Sequence, residues 1–399
     1  MKTKQKLSIR DFIFGGGLPN YLLLFYPILT ALVSRQRDFS EVSSIDSSAF
    51  IQGIFTCTVF IVSINELIKN KTFRVLIIES PLKWFVSYIL LGSLSALWSV
   101  NSSLTLYRAF ENLSFLFLIC ASLSIVYNKY KSPEVLVYWV LYYAVLLIIT
   151  GTLKRSLLWG FPLFSIDTLL LEQMNSSPFF FLALLLPVGW FIRSIIISIS
   201  IFSLSNTAYL GMIFGSLGLT KGKNIMKKIL LLLILISILV IVNIGFEIIL
   251  QNTVFYGKTG VGIEYTSGRN KILEVSITEG LKKPLLGYGF VSGDTYVVNK
   301  FFEGAIGAHN GFLSAFLGMG IMGVIIFIGF FIKMLNIAKS KILPIKLKAP
   351  FLSSIILISI YTLGNPGLGS RVYGSWISST IIMVLISLIY LHYKGKKRI

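Results

Sequence analysis

The sequence predicts an all-α integral membrane protein with about 12 transmembrane helices, both termini in the cytoplasm and one large outer loop. Of its residues, 55% are hydrophobic and only 13% are charged, and the mean hydropathy is +0.82. A soluble protein cannot bury so much apolar surface, and the apolar runs recur near the roughly 20 residues that cross the hydrocarbon core. One long polar segment, 251–310, interrupts these runs.

The apolar runs define the spans in chain order. Residues 1–10 are basic, but three glycines and Pro19 interrupt the next stretch of chain, so we expect a span there rather than a cleavable signal peptide. The predicted spans are 12–34, 48–66, 84–99, 103–126, 135–152, 178–192, 194–205, 207–220, 229–249, 310–332, 350–364 and 375–391.

The net charge of +20 has a topological explanation. With the N-terminus in the cytoplasm, most Lys and Arg residues fall at the cytoplasmic ends of the spans, and the outer side is nearly balanced. This is the asymmetry of the positive-inside rule. Membrane topology therefore accounts for the basic charge, and we exclude nucleic acid as a partner.

The positions of the basic residues favour a broken helix within 194–220. Arg193 and the basic run 221–228 both belong in the cytoplasm, yet one apolar segment separates them. A segment that enters the membrane, breaks at the polar residues 203–207 and returns to the same side would place both basic ends in the cytoplasm. Such short helices are tolerated in a membrane where they line a polar cavity. The alternative is one tilted helix, with Arg193 reaching the outer interface.

The predicted organisation has three parts: an N-terminal bundle at 1–250, the outer loop at 251–309 and C-terminal helices at 310–399. Two smaller outer loops are expected at 154–176 and at 364–374, the second containing Arg371. Neither an internal repeat nor a nucleotide-binding glycine pattern is found in the sequence. Any energy must therefore come from a gradient or from an activated substrate.

An amphipathic helix is predicted in the outer loop. Thr266 or Ser267 can cap a helix that begins near Arg269, and Gly280 and Pro284 end it. Its apolar stripe is predicted to comprise Ile272, Leu273, Val275 and Ile277.

Arg269 is a candidate anion-binding residue, because a guanidinium in the first helical turn joins free backbone N–H groups that suit phosphate oxygens. Pairing with Glu264 or Glu274 is the structural alternative. Lys282 and Lys283 precede a glycine-rich turn at 284–289. They are candidate substrate contacts, although ordinary contact with lipid headgroups explains them as well.

His309 is one of two histidines and lies where the polar segment meets a hydrophobic helix. A neutral imidazole can accept a proton from a hydroxyl, and an imidazolium can donate to a phosphate oxygen. Asn310 can orient a sugar. The structural alternative is a capping pair, since Asn is a good N-cap residue.

A few other ionisable and reactive residues lie outside the outer loop. Arg108 and Glu111 lie one turn apart inside a span, so they form either a functional site or a pair that fixes helix packing. His392 is expected to be a solvated tail residue. Cys57 and Cys120 are expected to be small core residues, and no metal site or cofactor is predicted.

Three patches of sequence carry a resemblance to a known family. They are Leu-Ser-Ala-Leu-Trp-Ser at 94–99 followed by Arg108; Ser-Asn-Thr-Ala at 205–208; and Ser-Gly-Arg at 267–269 with Pro-Leu-Leu-Gly-Tyr-Gly at 284–289, His-Asn-Gly-Phe-Leu at 309–313 and Gly-Met-Gly-Ile-Met-Gly at 318–323. In this order the chain resembles the superfamily of O-antigen ligases and O-antigen and capsular polysaccharide polymerases, which are bacterial membrane glycosyltransferases.

The resemblance implies a multi-pass protein of the cytoplasmic membrane whose active site faces the periplasm or exterior. It implies metal-independent transfer of a glycan from an undecaprenyl diphosphate carrier to a glycan or lipid-core acceptor. Membrane lipids and other polysaccharide-assembly proteins are the further partners expected. By position, Arg269 would hold the diphosphate and His309 would act at the reacting centre.

One position departs from the family pattern. The middle patch usually reads Ser-Arg, and here Asn206 takes the place of the arginine. Arg108 and Arg371 are the candidates to supply the missing positive charge.

Two other functions remain open. A transporter or flippase of lipid-linked glycan would also suit many spans and a broken helix. A peptidoglycan glycosyltransferase of the cell-shape family would instead require an essential carboxylate in the outer loop. The candidates for it are Glu264, Glu274, Glu279, Asp294 and Glu303. Within the resembling family, composition slightly favours a polymerase over a ligase.

Overall fold

The computed structural model describes residues 12–13, 15, 17–33, 47–159, 176–186, 189–201, 206–220, 269–302, 307–365, 367–372 and 374–396. Across these residues the regular structure is helical, and they contain no strand. The helices are α1 Gly17–Val33, α2 Ser47–Lys69, α3 Lys71–Glu79, α4 Leu82–Leu94, α5 Ser102–Tyr130, α6 Pro133–Trp159, α7 Phe180–Leu185, α8 Trp190–Ile201, α9 Asn206–Ser216, α10 Arg269–Gly280, α11 Ser292–Phe301, α12 Gly311–Lys339, α13 Ile345–Gly364 and α14 Gly374–Lys396.

Six helices in the described part are long and apolar enough to cross a membrane, and together they indicate a multi-pass membrane protein. The six stretches are Ala49–Lys69, Ser102–Tyr130, Pro133–Lys154, Gly311–Lys339, Ile345–Gly364 and Gly374–Lys396. The pair α3 and α4 would make a seventh span, bent by 79° at its break. The all-α membrane class is thus confirmed, whereas the count of about 12 spans stays a prediction.

The region around the predicted broken helix contains three short helices. The expected span 178–192 is interrupted: α7 ends at Leu185, and Leu186 is extended (φ −96, ψ 145), as the residue before Pro187 prefers. Two separate helices, α8 and α9, come next, and α9 packs along α13 whereas α8 contacts α6 and α7. Of the predicted break at 203–207, residues 203–205 lie outside the described residues, and Asn206 and Thr207 are the first residues of α9. The predicted span 229–249 also lies outside the described residues.

Three helices begin at asparagine caps. The Oδ1 atoms of Asn70, Asn101 and Asn310 accept hydrogen bonds from backbone N–H groups in the first turns of α3, α5 and α12. Such caps satisfy donors that the helix itself leaves unpaired. The capping role that was one alternative for Asn310 is therefore confirmed.

Basic helix ends gather at one end of the bundle. Asn128 Nδ2 donates to Asn70 Oδ1 at 2.9 Å, and Lys394 Nζ pairs with Glu79 Oε2 at 3.0 Å. We call this the basic end, formed by residues 66–84, 125–131, 333–340 and 390–394. Helices α4, α5 and α12 connect the basic end to the opposite end of the bundle. We call this opposite end the motif end; it is formed by residues 95–105, 279–294, 307–320 and 362–371.

Two expectations for individual residues are wrong. His392 is part of α14, and its Nδ1 atom lies 2.9 Å from the Tyr127 hydroxyl, so it packs between helices instead of lying in a solvated tail. Cys57 is exposed on α2, an outer helix whose surface is mostly unburied, so only Cys120 is a core residue.

Candidate functional site

A break in α12 organises the motif end. Met319 and Gly320 leave the helical conformation, and Gly320 has a φ of +62°, a left-handed value that favours glycine. A Cβ atom at Gly320 would overlap the Leu285 carbonyl group, so the turn 284–289 approaches the break too closely for any side chain. Two short stretches of backbone therefore meet here.

Backbone hydrogen bonds join this turn to the broken helix. Tyr288 N donates to Leu317 O at 2.7 Å, and Gly289 N donates to Gly318 O at 2.8 Å. Ile321 N donates to Pro284 O at 2.8 Å, on the other side of the break. The turn thus pairs with carbonyl and N–H groups that a continuous helix would have satisfied internally.

The first sequence patch closes over the same turn. Trp98 Nε1 donates to Leu286 O at 2.8 Å, and Val100 N donates to Tyr288 O at 3.0 Å. Three of the stretches that carry the family resemblance, 94–99, 284–289 and 318–323, therefore form one connected structure.

Three hydroxyl groups lie beneath this structure. Ser99 Oγ is 2.7 Å from Thr105 Oγ1 and 2.8 Å from Ser292 Oγ, and Thr105 Oγ1 is 2.5 Å from Ser292 Oγ. They connect the start of α5 to the start of α11. These residues were not predicted as site residues.

Asp294 holds the segment that contains His309. The carboxyl group is 1% exposed; its Oδ1 accepts a hydrogen bond from Ala308 N at 2.7 Å, and its Oδ2 accepts one from Ser314 Oγ at 2.6 Å. A Cβ atom at Gly307 would lie 2.6 Å from Oδ2, so the chain passes directly over the carboxyl group.

His309 itself lies between two fixed neighbours. The backbone N–H of Ala308 donates a hydrogen bond to Asp294. Asn310 Oδ1 caps α12 by accepting hydrogen bonds from Phe312 N at 3.0 Å and Leu313 N at 3.1 Å. His309 has a φ of +50°, which is uncommon for a residue with a side chain. Such backbone strain persists only where surrounding contacts over-determine the conformation. His309 is half-buried, so it lies at the boundary between the protein interior and the surface.

The loop after α13 completes the motif end. Gly311 N donates to Asn365 O at 3.2 Å, and the Tyr88 hydroxyl donates to Gly369 O at 3.1 Å. Gly364, the last residue of α13, lies against Thr207 in the first turn of α9. The start of α9 therefore lies beside the end of the helix that carries this loop.

Arg371 lies in that loop and acts on Asp294. Burial raises the pKa of Asp294 to about 6, whereas the bonds from Ser314 and Ala308 and the charge of Arg371 lower it. Burial disfavours the ionised carboxylate more than these three partners stabilise it. Asp294 thus interacts with the charge of Arg371 and, through its hydrogen bond from Ala308 N, with the segment that contains His309.

Arg108 and Glu111 form the predicted ion pair, with Arg108 Nη1 at 2.8 Å from Glu111 Oε2. The Arg108 guanidinium also lies 5.2 Å from the centroid of the Tyr107 ring. Their side chains are 19% and 8% exposed, so the pair is largely shielded within α5. Pairing is therefore confirmed, and a substrate contact of Arg108 stays a prediction.

Lys282 and Lys283 both have partners inside the loop. Lys282 Nζ pairs with Glu279 Oε1, and Lys283 Nζ lies 4.7 Å from the centroid of the Tyr288 ring. Each is a solvent-exposed residue. Their charges remain accessible to an anion, although each side chain already has one contact within the protein.

The helix predicted in the outer loop is found as α10, and its ends agree with the prediction, but its apolar residues are not gathered on one face. Its buried face is different: Ile272, Ser276 and Glu279 are buried, while Leu273 and Ile277 are exposed. The cause is tertiary, because Gly280 lies against the Phe316 ring and the Tyr288 hydroxyl donates to Glu279 O at 3.1 Å. The apolar stripe was therefore predicted wrongly.

Two predicted site residues begin helices: Arg269 starts α10 and Asn206 starts α9. Their side chains lie outside the described part of the structure, as do Glu264 and Glu303. Asp294 was considered only as one of five carboxylates. Its position in Ser-Gly-Asp at 292–294, shortly after the glycine-rich turn, is a sequence signal that could have singled it out.

The motif end thus offers an imidazole on a fixed backbone, a buried carboxyl group and an arginine whose charge acts on that carboxyl group. Such a set can accept a proton and neutralise an anionic group. Among the described residues, no group of three or more His, Cys, Asp and Glu side chains could hold a metal ion. Comparison of the chain with protein-family models and with curated proteins finds no match.

Proposed function

We propose that the protein is a membrane glycosyltransferase that moves a glycan from undecaprenyl diphosphate to a sugar hydroxyl in surface polysaccharide synthesis. The motif end is its active site and faces the periplasm or exterior. The three-patch resemblance is the source of the proposal.

One observation carries it: His309 is held in a strained conformation between the Asp294–Ala308 bond and the Asn310 cap. Conformational strain of this kind is concentrated at functional sites, where a side chain must keep one orientation. If Asn310 served only to cap α12, the preceding residue, His309, would not need a left-handed backbone conformation.

The proposed reaction needs little from the protein beyond positioning and charge. The acceptor hydroxyl oxygen attacks the anomeric carbon, a new C–O bond forms, and the bond from that carbon to the diphosphate oxygen breaks. The electron pair leaves with the diphosphate, and His309 takes the hydroxyl proton. Arg269 and Arg371 neutralise the developing charge on the leaving diphosphate. The diphosphate donor supplies the driving force.

Purified protein in detergent micelles separates the proposal from a transporter. Incubated with the lipid-linked glycan and the lipid-core acceptor of the source strain, a transferase produces free undecaprenyl diphosphate and an elongated or transferred glycan, although no ion gradient exists. Absence of any product, from protein that restores glycan display in a deletion strain, would refute a transferase. A deletion strain should also accumulate lipid-linked donor.

Polymerase and ligase activities leave different products on the cell surface. Loss of a polymerase leaves single repeat units attached to the acceptor, while loss of a ligase leaves none attached. Gel banding of the surface glycan of the deletion strain therefore distinguishes them. We favour the polymerase.

A peptidoglycan glycosyltransferase is the second candidate, because a buried carboxyl group of the outer loop, Asp294, holds the segment of the reacting histidine of the first proposal. A purified protein that polymerises the lipid-linked peptidoglycan precursor, and not the surface repeat unit, would replace the first proposal with this one.

A further inference from the structure

A cavity of about 380 Å³ lies at the basic end, far along the helices from the motif end. It is bounded by the junction of α3 and α4, by the last turns of α12 and by α14. Its size falls within the range that accepts small ligands, about 300–1,000 Å³. The residues that matter for its chemistry are Glu79, Lys83, Trp84, Lys333, Asn336 and Tyr390.

The cavity is positively charged. Lys83 and Lys333 both line it, and in the described part of the structure neither forms an ion pair. Its one acidic residue, Glu79, is paired with Lys394 Nζ at 3.0 Å. Two exposed lysine charges of the cavity wall are therefore not neutralised by a carboxylate of the described chain.

The surroundings identify the kind of anion. The Trp84 ring packs on Gly329 of α12, one turn before Lys333 on the same helical face. Ile325, one further turn away on that face, is 59% exposed. A cationic cavity thus continues into an aromatic and then an apolar surface, as the headgroup and acyl chain of a lipid require. Trp84 and Tyr390 are residue types that favour membrane interfaces.

We propose that this cavity binds the phosphate group of an anionic phospholipid, whose acyl chain lies along α12 beside Trp84. Basic pockets between transmembrane helices bind anionic headgroups in this way. The ligand would bridge α4, α12 and α14, three helices that join the two ends of the bundle. The proposal is independent of the catalytic one.

The test is lipid retention by the purified full-length protein, measured by native mass spectrometry. Protein in a neutral detergent is titrated with phosphatidylglycerol or with phosphatidylcholine of the same acyl chains. We expect preferential retention of phosphatidylglycerol, and a loss of affinity of about tenfold or more when both lysines are replaced in K83Q/K333Q.

The matched control is K339Q/K341Q, which removes the same charge at and directly after the end of α12 from residues that do not line the cavity. It should retain the lipid as the wild type does, and K83R/K333R should retain it as well because the charges persist. Equal losses in both glutamine variants, or no preference for phosphatidylglycerol, would overturn the proposal. So would glycerol phosphate binding as tightly as the lipid, since the apolar surface would then contribute nothing. The arginine variant keeps the test decisive if K83Q/K333Q fails to fold.

Discussion

Asp294 accepts a hydrogen bond of 2.7 Å from the backbone N–H of Ala308, and this bond fixes the residue directly before His309. The carboxyl group belongs to α11, whereas His309 precedes α12. The position of the imidazole therefore depends on how two separate segments pack, and not only on the local sequence.

The first prediction compares the two histidines of the chain. Replacing His309 by alanine should lower glycan transfer by about 10²–10⁴-fold, the usual contribution of a general base, without loss of folded protein. His392→Ala is the control, because this side chain contacts Tyr127 at the basic end. Transfer in detergent and donor accumulation in cells are the measurements. Equal activity of both variants would remove His309 from the mechanism.

The second prediction concerns the break in α12. Gly320→Ala places a Cβ atom against the Leu285 backbone at a left-handed φ, and should destabilise the protein by about 2 kcal/mol or more. Gly53→Ala is the control: this glycine is inside α2, and its added Cβ atom would meet nothing within 4 Å. That change should stabilise by about 0.5–1 kcal/mol.

Apparent melting temperatures of the two glycine variants in one detergent provide the comparison. Gly320→Ala should melt below the wild type, and Gly53→Ala at or above it. If both variants melted together, the close contact between the turn and the broken helix would not contribute to stability.

The ends of elements were predictable where the signals were local. Asn310 as a cap and α10 from Arg269 to Gly280 follow from a capping asparagine, a Ser-Gly-Arg start and a terminal glycine. The short helices α7 and α8 were predicted only in part, because composition identifies an apolar run but not the place where Pro187 interrupts it.

Contacts between distant segments were not predictable. The resemblance grouped 94–99, 284–289 and 318–323 by sequence order alone, and gave no indication that the Trp98 indole would bond to Leu286. The role of Asp294 depends in the same way on Ala308 and Ser314, which lie 14 and 20 residues after it in the chain. Such pairing is decided by tertiary packing, which no local pattern encodes.

The third prediction tests the indole contact between the first patch and the glycine-rich turn. Trp98→Phe keeps a ring but removes the N–H donor to Leu286 O, which should cost about 0.5–1.5 kcal/mol of stability. Trp190→Phe, at a residue that is 78% exposed, should change the apparent melting temperature little. An unchanged melting temperature for Trp98→Phe would show that the patches are held together by other contacts.

The fourth prediction uses the raised pKa of Asp294, about 6 against an ordinary value of 3.8. Because the folded protein binds this proton more tightly than the unfolded chain, the contribution of Asp294 to stability falls as pH rises from about 4 to about 6. The difference between the two pKa values corresponds to about 3 kcal/mol at most. Asp294→Asn cannot ionise, and its amide can still accept from Ala308 N and donate to Ser314 Oγ.

Asp294→Asn should therefore gain stability relative to the wild type as pH rises from 4.5 to 7.5, measured as apparent melting temperatures in one detergent. Glu274→Gln, which changes an exposed carboxylate on α10, is the control and should match the wild type at both pH values. A constant difference between Asp294→Asn and the wild type would show that Asp294 does not titrate in this range. If the asparagine variant also kept full transfer activity, a neutral side chain would suffice to hold His309. The carboxylate required by a peptidoglycan transferase would then have to be another residue.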